Sequence, residues 1–339
     1  MKILAPLRSS SEVEALAAAG AEEFYCGLTP PGWAATQGRS WANRRNPRSA
    51  GVPDVADLER IVALAAHRPV YVTLNAPSYH ASAIPLLVDF GKRLLEEVGA
   101  RALIVAETEL LLALGEAGLA RRVHVSSLAT CRNRGTALFY RDLGVSRIIL
   151  PRHLTLREIE DIRADGLEYE AFVLNDGCVF EEGLCATTHA LGTFCLADGE
   201  PSPRPPPLPV VEEPPDAGAI PGEALERYAF WKWTLDNCGC RTSRGFPLGP
   251  CGLCAMPRLA AAGVASLKVV GREASLERKE ASVRLVAHAL RLARAGGGRD
   301  VLREATIALR GARGLCEDAR LCYYPDVWKA PPRPGRRAC

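Results

Sequence analysis

A chain of 339 residues with 48% apolar content can bury a large core, which excludes a disordered polymer. With 42 basic against 39 acidic residues, a net charge of +3 gives no electrostatic case for a broad nucleic-acid surface. The N-terminal apolar run is too short for a signal peptide, and no stretch reaches the roughly 18 apolar residues of a membrane span. A cytoplasmic protein with reduced thiols is the expectation.

In chain order, Lys2–Leu7 is an apolar strand, and Ser11–Ala19 an alanine-rich helix stopped by Gly20. Ala21–Leu28 is a second strand. Thr29–Pro53 reads as a long loop carrying Asn43, Arg44 and Arg45, and loops of that length are often functional. Helices over Asp54–His67, Ser82–Val98, Glu109–Leu119 and Arg134–Leu143 alternate with strands over Pro69–Ala76, Arg101–Glu107, Arg122–Leu128 and Arg147–Leu150. Thr155 and Glu158 form a capping box at the next helix start. Glu168–Asn175 is the seventh strand and Ala265–Arg272 the eighth. The short helix Pro257–Ala262 precedes the eighth strand, and the long helix Leu276–Ala295 follows it.

Eight strands alternating with helices predict a (β/α)8 TIM-like barrel over residues 1–295. A C-terminal helix, Asp300–Leu309, and a Pro/Arg tail follow within 296–339. No Gly-x-Gly-x-x-Gly follows the first strand, which argues against a doubly wound sheet. Between strands seven and eight lies a cysteine- and proline-rich insertion, 176–260, holding Cys178, Cys185, Cys195, Cys238, Cys240, Cys251 and Cys254. Its proline-rich part, 201–221, reads as polyproline-like. Thiols this dense in a reducing compartment point to a metal or iron–sulfur centre rather than to disulfides. Cys26, Cys131, Cys316 and Cys322 each stand alone in the sequence and read as small hydrophobes. Chemistry in such barrels sits at the C-terminal strand ends, here Tyr25, Asn75, Glu107, Ser126, Arg152 with His153, Asn175 and Arg272. The insertion would cover the same mouth.

Several stretches in fixed order resemble the collagenase-like peptidase family U32. They are Gly20-Ala-Glu-Glu-Phe-Tyr-Cys-Gly27, Ala42-Asn43-Arg44-Arg45, Val70-Tyr-Val-Thr-Leu-Asn75, His124-Val-Ser126, Ile149-Leu-Pro-Arg152, Gly183-Leu-Cys185 and Leu253-Cys254 before Lys268-Val-Val-Gly271-Arg272. The resemblance covers residues 2–294. It implies an oxygen-independent hydroxylase-type enzyme with a 4Fe-4S cluster, held by Cys178, Cys185, Cys195 and Cys254. The substrate would be a small aromatic or quinone precursor or an RNA base, and the partner, if any, a related chain in a heterodimer. Asp176-Gly177, His153, Ser127-Leu128 and Val270 depart from the family's usual residues at their positions.

Within that reading, Arg152 and Arg272 would grip an anion by bidentate contacts, with Asn43, Arg45, Asn75 and Ser126 as further substrate contacts. Glu107 and His153 are the candidates for proton transfer. Zinc is the alternative, because Cys238-x-Cys240 and Cys251-x-x-Cys254 resemble a zinc knuckle. The chain would then be a structural or partner subunit. A peptidase is a third reading, although no serine–histidine–acid arrangement and no His-Glu-x-x-His helix is present.

Overall fold

The computed structural model describes residues 1–37, 42–45, 47–175, 241–311, 313–317 and 322–328. Eight parallel strands close into a barrel in sequence order. They are β1 (Lys2–Pro6), β2 (Glu23–Gly27), β3 (Val70–Leu74), β4 (Ala102–Val105), β5 (Val123–Val125), β6 (Arg147–Ile149), β7 (Glu168–Leu174) and β8 (Val264–Val269). Closure comes from β1 lying beside β8, with Ile3 opposite Leu267. The strands are almost wholly buried because helices cover one face and side chains fill the other, which is why they read as continuous apolar runs. The expected (β/α)8 barrel is therefore the observed fold.

Local chemistry sets the element ends. Asp54 accepts a hydrogen bond from the Asp57 N–H at 2.8 Å and starts the helix Val55–Ala65. The capping box of Thr155 and Glu158 is formed, opening Leu156–Ile162. Gly20 ends Val13–Ala19 at φ 114°, a conformation that favours glycine. The loop expected over 29–53 holds two short helices, Trp33–Gln37 and Pro47–Ala50, too brief to show a periodicity. Strand β5 stops three residues short of the expected Leu128. There the Ser126 hydroxyl accepts from the Leu128 N–H and turns the chain into a 3-10 helix, Ser127–Ala129. The strand expected to reach Arg272 ends at Val269, and the chain turns at Gly271, φ 118°. Among the described residues, no helix is long and apolar enough to cross a membrane.

Inside the barrel the two-residue period stacks side chains in layers. Glu23, Tyr25 and Gly27 share a face of β2, as do Ser266 and Lys268 on β8. The lower layers form an ionic network. Arg147 reaches Glu23 at 3.0 Å, Glu168 at 2.7 Å and Glu170 at 3.4 Å. Glu23 also accepts from the Ser266 hydroxyl at 2.6 Å and the Tyr71 hydroxyl at 2.8 Å. Lys268 meets Glu170 at 2.6 Å. Burial alone would raise the Glu23 carboxyl. The hydrogen bonds and charge of Arg147, with Ser266 and Tyr71, outweigh it and hold the carboxyl below its usual range.

His124 stacks against Tyr71 in this layer, ring centroids 4.5 Å apart. Burial, then the charges of Arg147, Lys268 and Arg101, hold its imidazole well below 6.5. The folded chain keeps His124 neutral while the unfolded chain protonates it, so stability falls as pH drops below about 6.5. The slope from this one group is about 1.4 kcal/mol per pH unit. Chemical unfolding at pH 7.5 and 5.5 should show the wild type losing more stability than His124→Gln. Equal losses in the two proteins would contradict the assignment.

Candidate functional site

The C-terminal strand ends open on a pocket lined by residues of the barrel and of the loop after β2. Arg272, just past β8, is 8% exposed and lies across the end of β2. Its guanidinium donates to the Thr73 hydroxyl at 3.0 Å and sits 6.0 Å from the centre of the Tyr25 ring. It can lie there because position 27 is glycine. A Cβ at Gly27 would collide with the Arg272 guanidinium.

Lys268 rises from the ionic layer to the pocket floor. Its ammonium stands 4.0 Å from the centre of the Tyr25 ring. Burial is the main cause holding it below its ordinary pKa; Glu170 opposes that, and Arg272 and Arg147 add to it. Arg45 lines the rim and pairs with Glu273 at 3.7 Å. Arg44 lines it too, and its Nε and one terminal nitrogen are buried with no hydrogen-bond partner among the described residues. Among the described residues, the pocket wall thus carries Arg44, Arg45, Lys268 and Arg272 against one acid, Glu273. Such a surface suits an anionic group, with guanidinium forks for a carboxylate or phosphate.

Of the residues expected at the site, Arg45, Asn75, Ser126 and Arg272 meet around this pocket. Asn43 lies behind it. Its amide donates to the Leu28 carbonyl at 3.0 Å, and its oxygen accepts from the Asn75 N–H, which holds the loop against β3. Glu107, Arg152 and His153 are not among the pocket's lining residues. Glu107 instead caps Thr108–Glu116, its two carboxylate oxygens accepting from the N–H groups of Glu109 and Leu110 at 3.0 and 2.7 Å. Acting as a cap holds the acid's oxygens on backbone donors at the helix start. Arg152 is buried and His153 exposed, both beyond the lining. Asn175 stands at φ 79° and donates to the Ser282 hydroxyl at 2.8 Å, toward the helix Leu276–Arg294.

Sequence reasoning missed Lys268 as a site residue, and named Tyr25 and Arg44 only as a strand-end and a loop position. A lysine inside an otherwise apolar strand was the signal for Lys268, since a buried lysine needs a partner.

Cys178, Cys185, Cys195, Cys238 and Cys240, and the proline-rich 201–221, lie outside the described residues. Cys251 and Cys254 do not line the mouth. They line a second cavity, with Cys316 and Cys322. The last two were expected to stand alone and do not, because helix Arg299–Arg310 folds the C-terminal segment back onto the β7–β8 connection. Among the described residues, no three His, Cys, Asp or Glu side chains are placed to hold a metal ion as they stand. Cys26 and Cys131 are buried thiols, each pushed up by burial to about 12.

Comparison with known proteins bears on the family. The curated protein called tRNA hydroxylation protein P, from Escherichia coli (strain K12), is 32% identical over 117 residues. The match takes in 34% of this chain and only 25% of that protein's length. A solved U32 peptidase structure aligns with TM-score 0.40 and 18% identity, covering 56% of this chain and 76% of that one. A dihydrodipicolinate synthase aligns with TM-score 0.44 and 10% identity, covering 91% and 82%. The sequence pattern of Peptidase family U32 matches residues 8–198, more than half of the chain, and the chain belongs to that family.

Proposed function

We propose that this chain is a hydroxylase-type enzyme whose substrate enters the barrel mouth and is held there through an anionic group. The observation that carries the reading is the concentration of Arg44, Arg45, Lys268 and Arg272 on one pocket wall. The name of the Escherichia coli relative favours an RNA base as substrate, presented with its own phosphate as the anion; a small aromatic or quinone precursor with a carboxylate is the alternative. A base would have to be splayed out of its strand to enter.

In this reading Arg272, braced by Thr73, orients the anion, and Arg44 and Arg45 close the rim over it. Tyr25 and Phe172 offer faces for an aromatic ring. Lys268, paired to Glu170, holds or gives a proton at Nζ. The family resemblance supplies an iron–sulfur cluster on Cys178, Cys185, Cys195 and Cys254, which when bound would carry electrons. Of these, only Cys254 falls within the described residues, where it lines a cavity with three other thiols. Peptidase chemistry has less support. Ser126 caps a turn, and no histidine is among the described residues lining the pocket to take its proton.

The test is comparative mass spectrometry of RNA nucleosides and of small-molecule extracts from cells with and without the gene. One hydroxylated nucleoside should vanish from the deletion strain and return on complementation. Identical RNA profiles together with a missing hydroxylated metabolite would move the substrate to the small-molecule alternative. No change in either would overturn the hydroxylase reading.

A further inference from the structure

We propose that Cys251, Cys254, Cys316 and Cys322 form a four-thiolate zinc site, separate from the barrel mouth, that staples the C-terminal segment to the connection entering β8. This does not rest on the hydroxylase reading. It also removes Cys254 from the cluster set that the family resemblance implies.

The backbone brings the two cysteine pairs together. Residues Pro250–Gly252 run antiparallel to the end of β7, with the Asn175 N–H donating to the Pro250 carbonyl and the Gly252 N–H to the Val173 carbonyl. Cys251 and Cys322 form a parallel bridge, and the Tyr323 N–H donates to the Cys251 carbonyl at 3.1 Å. Cys254 follows on the 3-10 helix Leu253–Ala255, facing helix Arg299–Arg310. All four thiols border one small cavity, which among the described residues shares no lining residue with the mouth pocket. They also feel one another's charge: Cys254 responds to Cys251, Cys322 and Cys316, and Cys322 responds to Cys251 and Cys316.

The surroundings fit such a centre. Four sulfur donors suit zinc in tetrahedral geometry. Two appear as a Cys-x-x-Cys turn and two as Cys316-x5-Cys322, pairs joined through separate parts of the chain. A zinc ion with four thiolates carries two net negative charges. Arg303 borders the cavity; burial, then Cys251, pushes the Cys316 thiol up to about 11, and the charges of Arg310, Arg303 and Arg313 oppose that rise. Trp328 stacks with Arg299 and Arg303, and its indole donates toward the Cys322 sulfur. As neutral thiols the four are not gathered on a point. Closing them on an ion requires the four sulfurs to draw together and release their protons.

The staple would hold the chain end where Tyr324 already packs over Gly252 and donates to the Phe172 carbonyl at 2.9 Å.

The experiment measures zinc, iron and sulfide in full-length protein purified anaerobically without added metal. Wild type is compared with Cys316→Ser/Cys322→Ser and with Cys178→Ser/Cys185→Ser. About one zinc per chain is expected in the wild type. It should be lost from the 316/322 variant with iron unchanged, and kept in the 178/185 variant. Should the 316/322 variant fail to fold, wild type is read instead. Chelation should expose all four thiols to alkylation and raise hydrogen exchange over 313–328, and cobalt(II) should restore protection with thiolate charge-transfer absorption. Zinc absent from the wild type, zinc retained by the 316/322 variant, iron lost from it, or a Cys251–Cys322 disulfide would each overturn the site. Failure of the hydroxylase reading shows separately, as unchanged nucleosides and metabolites.

Discussion

Replacing Arg147 by leucine is expected to destabilise the fold by about 3–5 kcal/mol, the cost of leaving buried carboxylates without their cation. Arg147 is 4% exposed and is shared by Glu23, Glu168 and Glu170. Glu23 and Glu170 are wholly buried, so neither can turn to water when the guanidinium goes. Lys268 remains to serve Glu170, but among the described residues Glu23 keeps the neutral donors Ser266 and Tyr71 and the solvent-exposed Lys2 ammonium, 3.9 Å away. Urea unfolding of Arg147→Leu, Glu23→Gln and the double variant measures this directly. The double variant should recover part of the single loss, because removing the acid removes the orphaned charge. Strict additivity, or a single loss under 1 kcal/mol, would mean the barrel floor tolerates the charge by admitting water.

The second large effect lies at the mouth. Arg272→Ala is expected to reduce kcat/KM about thirtyfold or more, corresponding to about 2–5 kcal/mol for a truncated buried charge contact. Arg272→Lys should fall between it and wild type, because an ammonium keeps the charge and loses the fork. Gly27→Ala should imitate the arginine variant without touching any charge, since its methyl occupies the space of the guanidinium. The three together separate charge from placement. Wild-type activity in Gly27→Ala would show that Arg272 works from another position, or that it does not touch substrate.

The barrel was legible because its signal is repeated. Each strand is a buried apolar run, each helix has its own start and stop, and closure needs only the count. The capping box at Thr155 and the stop at Gly20 are local, so the sequence states them outright. The mouth was half legible. Arg272, Asn75 and Ser126 follow from position at strand ends and Arg45 from its long loop, whereas Glu107 occupies a strand-end position and caps a helix instead. Which way a strand-end side chain turns depends on the backbone donors beside it, and those are set by the next element. The pairing of Cys316 and Cys322 with Cys251 and Cys254 was invisible. It depends on a helix that folds back over the β7–β8 connection, and no local pattern records that contact.

The measurement closest to the central claim is complementation of the gene deletion by mouth variants, read as the abundance of the missing hydroxylated product. Cells carrying Arg272→Ala should accumulate wild-type amounts of protein and little or no product. Cells carrying Arg284→Ala, an exposed helix position whose partner is Glu280, should restore the product fully. Full product from the Arg272→Ala strain would contradict the claim that the cationic barrel mouth is where substrate is held.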